Sequence, residues 1–301
     1  MDMKAGRLKA IASLVILIAT ALVGLPATAG IFDDGNDRLL LIDLRKKPAS
    51  VLTDEERAIL RAADRYGNIG ICAASGGNAS LIRVNGRDAI ITSLHMIQDP
   101  QTGAFRCSPD AMERARYAPN VAYYDAEVPH PLGEEFTLRY VALDPEPLYP
   151  KPARTLGGGS FHPGDDWAVF FLREEISSDI MPDGHVRGAF ETLAPEVLQK
   201  AGSFHMIGVA PDIRGSLATI YQTCEYRVMA GTGAFRHTCD SIRGSSGSFK
   251  GAMTKEGISL AGLMTSGYRD PQPMRLPANY YEWNGGTLIP PVRGEPWPAD
   301  E

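Results

Sequence analysis

Cys239-Asp240-Ser241-Ile242-Arg243-Gly244-Ser245-Ser246-Gly247-Ser248-Phe249 sets a serine among small residues, with Gly244 two positions before it and Gly247 one after. Such a stretch suits a hydroxyl carried on a tight turn. Glycine lets the backbone bend until N–H groups converge on one point, as holding a developing oxyanion requires. Gly/Ser-rich turns are common, so the reading depends on what else the chain supplies. Upstream, Thr92-Ser93-Leu94-His95 ends an apolar, strand-like run, and Asp166-Trp167-Ala168-Val169-Phe170-Phe171-Leu172 opens another. A serine hydroxyl is a poor nucleophile at neutral pH; it needs a base within reach, and the base needs an orienting acceptor. Ser246, His95 and Asp166 are the three residue types for that task, with Asp166 fixing the imidazole tautomer and stabilising the imidazolium. His237, close to the serine in sequence, is the rival base, and Asp165 the rival acid.

Outward from these segments, short apolar runs alternate with Gly, Asn, Asp and Pro. Strands are expected at 69–73, 79–84, 89–92, 121–124, 136–142, 167–172, 204–209, 218–229, 248–252 and 258–264. Asn85-Gly86 marks a two-residue hairpin turn between the second and third of them. Many short strands with few helices point to an all-β barrel or sandwich. Thr53, with Glu56 three residues on, predicts a capped helix running to about Arg65. Short helices are expected within 108–118 and 190–200. The Pro-rich connector 145–152 divides a first β unit bearing His95 from a second bearing Ser246. Gly157-Gly158-Gly159 lacks the Lys-Ser/Thr of a phosphate loop and reads as a flexible loop.

Residues 1–29 read as a secretory signal: Lys4, Arg7 and Lys9 lead an apolar run from Ala10 to Leu25, and Ala27-Thr28-Ala29 offers the small residues of a cleavage site. The run is short for a membrane span. Export puts the mature chain in a periplasmic or secreted setting, without stable membrane association. Residues 30–67 then form an N-terminal arm or a propeptide. The net charge of −6 becomes more negative once the basic leader is removed, which argues against nucleic acid as a partner. Four cysteines at 72, 107, 224 and 239 suit two disulfides in an exported protein. Three pairings exist, and the local ones, Cys72–Cys107 and Cys224–Cys239, are favoured. No spacing typical of a zinc site occurs, so no metal or other cofactor is expected.

Taken together, the ordered segments resemble the trypsin/chymotrypsin superfamily of serine endopeptidases, in particular its bacterial exported branch that includes glutamyl endopeptidases. Thr92-Ser93-Leu94-His95 resembles that family's Thr/Ala-Ala-x-His segment, Asp166-Trp167-Ala168-Val169 its Asp-hydrophobic-Ala-hydrophobic segment, and Gly244-Ser245-Ser246-Gly247-Ser248 its Gly-x-Ser-Gly-Gly/Ser box. The resemblance spans roughly residues 68–268. It implies an all-β fold of two six-stranded antiparallel barrels, about 68–150 and 151–301, behind an N-terminal helical arm. The site would lie in the cleft between them. It also implies Ser246 as acyl-forming nucleophile, His95 as base, and an oxyanion hole from the N–H groups of Gly244 and Ser246. Asp240, six before the serine, falls where trypsin-like members carry the aspartate of the specificity pocket, which implies a basic P1 preference. Thr265-Ser266-Gly267 resembles the segment that pairs with substrate backbone. The partner would be a peptide or protein. The sequence departs from the family at Ser245, where animal members place the aspartate that receives a freed N-terminus, at Phe249 in place of proline, and at Met264, where glutamyl endopeptidases place a pocket histidine. An inactive homologue that binds peptides, and an esterase, are the alternatives.

Overall fold

The structure, a computed structural model, describes residues 38–72, 75–119, 121–123, 139–156, 160–209, 219–240, 245–265 and 284–298. The expected signal segment 1–29, residues 124–138, Gly157–Gly159 and Ser241–Gly244 lie outside the described residues, as do Ser266 and Gly267.

The arm begins with strand β1 (Leu39–Leu40) and helix α1 (Leu41–Arg45), then helix α2 (Asp54–Ala63). The Thr53 hydroxyl accepts from Glu56 N and the Glu56 carboxylate accepts from Thr53 N, the reciprocal cap expected from the sequence. Leu41, Leu44, Ile59 and Leu60 are buried in the same cluster as Phe204, Phe235 and Leu260 of the second barrel. Each such side chain contributes about 1.5–3 kcal/mol. The arm from Leu39 onward is therefore part of the core.

The first sheet contains β2 (Tyr66–Cys72), β3 (Ser75–Val84), β4 (Arg87–Thr92), β5 (Arg116–Pro119) after helix α3 (Pro109–Glu113), and β6 (Val141–Ala142). A small hairpin, β7 (Thr155–Leu156) and β8 (Ser160–Phe161), precedes its last strand, β9 (Ala168–Phe171). The order is β6-β5-β2-β3-β4-β9, antiparallel throughout. An antiparallel bridge between Leu143 and Leu172 brings the ends of the order together, so these six strands close into a barrel. Asn85 and Gly86 both take positive φ, 52° and 80°, as the hairpin signal requires.

After helix α4 (Pro195–Leu198), the second sheet is built from β10 (Phe204–Val209), β11 (Thr219–Cys224), β12 (Tyr226–Met229), β13 (Ala234–His237), β14 (Phe249–Thr254), β15 (Gly257–Thr265) and β16 (Asn284–Leu288). Its order is β1-β11-β10-β14-β15-β16-β13-β12. The expected strand 218–229 breaks at Glu225. Its first half pairs with β10 and its second with β13, so one bent strand joins both ends of the sheet and closes this barrel too. The two antiparallel barrels give the all-β, trypsin-like arrangement. The second sheet has eight strands among the described residues because the bent strand counts twice and the arm adds β1.

Two expectations shift. The 150/151 division falls too early: β9 pairs with β4 and completes the first barrel, and Leu148 in the Pro-rich connector bridges Val169 of β9. Residues 121–123 form a single 3₁₀ turn in place of a strand, because the Tyr123 hydroxyl is drawn to Leu60 O at 3.0 Å and Asp64 Oδ1 at 2.8 Å on α2. Cys224 and Cys239 are joined in a disulfide. Cys107 is also disulfide-bonded, while the side chain of Cys72 lies outside the described residues. Among the described residues no helix is long and apolar enough to cross a membrane.

Candidate active site

Register explains how distant side chains meet. Thr92, the last residue of β4, pairs with Ala168, the first of β9. His95 lies just beyond that end of β4 on a one-turn 3₁₀ helix, and Asp166 lies just before β9. The two therefore project from the same end of the first barrel. His95 Nδ1 is 2.7 Å from Asp166 Oδ2, and the backbone N–H of His95 donates to Asp166 Oδ1 at 2.8 Å. One carboxylate holds both the ring and its own backbone. On the other edge of the imidazole, Nε2 is 3.0 Å from Ser246 Oγ, contributed by the second barrel. The rival residues sit in other surroundings. Asp165 takes a two-pronged contact from Arg154, Nε to Oδ2 and Nη2 to Oδ1, each 2.8 Å. His237 is wholly buried within the second barrel. Of the remaining histidines, His130 lies outside the described residues, His162 accepts from Gly164 N, His185 contacts Asp64 and Asp183, and His205 contacts Tyr221.

Burial lowers the His95 pKa, but the charge of Asp166 and its hydrogen bond outweigh burial and the nearby Arg106, so the net shift is upward from 6.5. The imidazole side chain is 26% exposed and the Asp166 side chain 9%, which leaves the hydroxyl side of the ring approachable while the ion-pair side is sheltered.

The serine turn is fixed from both barrels. Gly247 takes φ +78°, and a Cβ there would meet Asn78 O at 2.1 Å and Thr92 Oγ1 at 2.8 Å. Glycine at 247 is thus required by both backbone conformation and close approach. Gly247 N donates to Met264 O at 2.9 Å, and Ser248 N donates to Ser245 O at 3.0 Å. From the first barrel, Asn78 of β3 donates through Nδ2 to Ser246 O at 3.0 Å and to Ser248 Oγ at 3.3 Å. Its backbone N–H adds a 3.2 Å bond to Ser246 O. Tyr66 OH donates to Asn78 Oδ1 at 2.5 Å and Thr92 Oγ1 to Asn78 O at 2.7 Å. Ser93 Oγ crosses to Met264 O at 3.0 Å. The sequence reading missed Asn78 and Ser93 as positioning residues. A signal was present at Asn78: asparagine is depleted in strands, so one inside an apolar strand marks a polar task.

Other candidates stand as follows. Thr265 ends β15, buried, opposite Gly285. Gly244, Ser266 and Gly267 lie outside the described residues. Asp240 is buried at 4% exposure, and its backbone is clasped by the Gln222 amide, Nε2 to Asp240 O at 3.0 Å and Asp240 N to Oε1 at 3.3 Å. Its carboxylate faces Arg38 of the arm, with Nε 3.5 Å from Oδ2. Cys224, His237 and Cys239 place their ligand atoms within 4.8 Å of one another, but the two sulfurs are bonded to each other and offer no thiolate to a metal.

No family profile matches this chain, and no curated protein matches it. Among solved structures it is similar to the crystal structure of AL20, a thermostable serine protease from an extremophilic microorganism, at 15% identity over 76% of this chain and 92% of that one, with a TM-score of 0.48. It is also similar to protease Anisep from Arthrobacter nicotinovorans, at 13% identity over 75% of this chain and 90% of that one, with a TM-score of 0.47.

Proposed function

We propose that this chain is an exported serine endopeptidase that cleaves peptide bonds through an acyl-enzyme on Ser246. The observation that carries the reading is the continuous contact chain from Ser246 Oγ through both ring nitrogens of His95 to Asp166, at 3.0 and 2.7 Å. With His95 neutral, Ser246 Oγ–H donates to Nε2, and Nδ1–H donates to Asp166. As Oγ attacks the scissile carbonyl carbon, its proton passes to Nε2, and the imidazolium is stabilised by the carboxylate already hydrogen-bonded to Nδ1. The carbonyl oxygen becomes an oxyanion, for which the N–H groups of Gly244 and Ser246 are the proposed donors. On collapse, Nε2–H protonates the leaving amine. Water then enters, gives a proton to Nε2 and hydrolyses the ester, and Ser246 recovers its proton from His95. Substrate backbone would pair along Thr265-Ser266-Gly267 as an added strand.

The buried disulfide and the leader-like residues 1–29 support an oxidising, periplasmic or secreted location. A fluorophosphonate probe followed by a peptide-library digest tests the reading. Labelling that disappears in Ser246→Ala, with peptide-bond cleavage by the unlabelled protein, is the expected outcome. Labelling without cleavage of any peptide, alongside turnover of simple esters, would point to an esterase instead. No labelling at all in the folded protein would leave a binding homologue.

A further inference from the structure

Between His95 and the disulfide-bonded Cys107 the chain folds into a closed hairpin. Arg106 N donates to Ile97 O and Asp99 N to Ala104 O, each at 2.8 Å, with an antiparallel bridge between Gln98 and Phe105. Gln98 Nε2 donates to Gly103 O at 2.7 Å inside the turn, where Gly103 takes φ +68°. Ile97 N donates to Leu94 O at 2.9 Å, on the 3₁₀ turn that carries His95. A short run of hydrogen bonds thus ties Arg106 to the catalytic imidazole's own turn. Arg106 is exposed, and its guanidinium makes one hydrogen bond, Nε to Gln98 O at 3.3 Å. Among the described residues neither Nη meets an acceptor and no carboxylate forms an ion pair with it. The acid nearest in the hairpin, Asp99, spends Oδ1 on Gln101 N at 2.8 Å and Thr102 N at 3.1 Å. Burial is the largest influence lowering the His95 pKa, and the Arg106 charge adds to it against the lift from Asp166. A free cation beside a base that must itself become cationic opposes the proton transfer. A carboxylate brought to that guanidinium removes the opposition and gains a charge-assisted, two-pronged contact.

We propose that Arg106 is a specificity-determining residue that binds a substrate carboxylate on the leaving-group side of the scissile bond. The carboxylate belongs to one of the first two residues after that bond. This rests on the reading of Ser246 as the acylated residue. In that reading the acyl half of the substrate lies along Thr265 of the second barrel, while His95 of the first barrel hands its proton to the leaving amine. The residues that follow the amine then pass the hairpin that follows His95, where the unpaired guanidinium stands.

The test uses the mature full chain and internally quenched peptides in matched pairs. One set carries Glu against Gln at the first or the second residue after the cleaved bond. Another ends at the second residue as a free acid against its amide, which tells a side chain from a chain terminus. The readout is the ratio of kcat/KM, acid over amide. In the wild type at least one pair is expected to favour the acid by about fivefold or more. Arg106→Gln brings that ratio near one, Arg106→Lys restores part of it, and Arg106→Glu drives it below one. In Arg106→Gln the pH midpoint of fluorophosphonate labelling also rises, because a cation has gone from beside His95. A wild-type ratio near one in every pair overturns the proposal. So does a ratio that Arg106→Gln leaves at its wild-type value while both members of the pair slow alike, since the residue would then only hold the hairpin. If a simple fluorophosphonate fails to label wild-type Ser246, the acyl-enzyme reading falls and this proposal with it; a labelled Ser246 with flat ratios sinks the proposal alone.

Discussion

Asn78→Ala probes the link between fold and site. Asn78 is 1% exposed and lies on the first barrel, yet it holds the turn of the second. Truncation removes three side-chain hydrogen bonds, to Ser246 O, to Ser248 Oγ and from Tyr66 OH. Each is worth about 1 kcal/mol net, and the fully buried Tyr66 hydroxyl, deprived of this acceptor, adds about 1 kcal/mol more. The expected loss is about 4 kcal/mol, which lowers Tm by about 10 °C in a domain of this size. The backbone bond from Asn78 N to Ser246 O survives, so the turn loosens without detaching. A small displacement of Oγ from Nε2 is then expected to cost about tenfold or more in kcat, with KM less affected. Calorimetry and kinetics on a fluorogenic peptide measure both. A variant that keeps its Tm within about 2 °C, less than 1 kcal/mol, and its full kcat would refute the inter-barrel staple.

Asp166→Asn should cut kcat by about 10⁴-fold, since the amide supports the wrong imidazole tautomer and no longer stabilises the imidazolium. The same carboxylate raises the His95 pKa from 6.5, and only neutral imidazole accepts the serine proton, so wild-type labelling should rise with pH at a midpoint above 6.5 and the variant's midpoint should move down. An unmoved midpoint would break the assignment. The stability effect of the same shift has the opposite pH sense: it is full below the unfolded imidazole pKa and is lost as pH climbs through the raised one. Gly247→Ala forces a Cβ into Asn78 O and a left-handed backbone, so labelling should vanish and Tm should fall; normal labelling would contradict the described turn. Lys250 is fully buried in β14, its amine has no hydrogen-bond partner among the described residues, and burial pushes its pKa well below the usual value. Lys250→Met should therefore raise Tm, by about 1 kcal/mol or more of stability; a marked fall would reveal a ligand or partner for the amine.

Much of the architecture was legible because local chemistry and tertiary structure agree. The Thr53–Glu56 cap, the Asn85-Gly86 turn and strand β10 stand where periodicity and capping rules put them. Strands β13 and β16 were not legible. In β16 the run Asn284-Gly285-Gly286 looks like a turn, but a Cβ at Gly286 would lie 2.1 Å from the Phe235 ring, so its glycine serves close packing. In β13, Arg236 and His237 are buried polar residues that no alternation pattern anticipates. Within the site, the histidine, aspartate and serine could be picked out by residue type and order, and Asp166 over Asp165 by its place against an apolar run. The ion pair of Arg38 with Asp240 could not be read from the sequence, since it depends on a β1–β11 ladder joining residues about 180 positions apart, a distance over which spacing carries no information.

The central claim is that one imidazole activates one hydroxyl. Its most direct test is mass spectrometry of the protein after fluorophosphonate treatment across pH. The account predicts a single adduct on Ser246 whose rate grows as His95 loses its proton, with none formed in His95→Ala. An adduct on another residue, or labelling of Ser246 that is indifferent to both pH and His95, would contradict it.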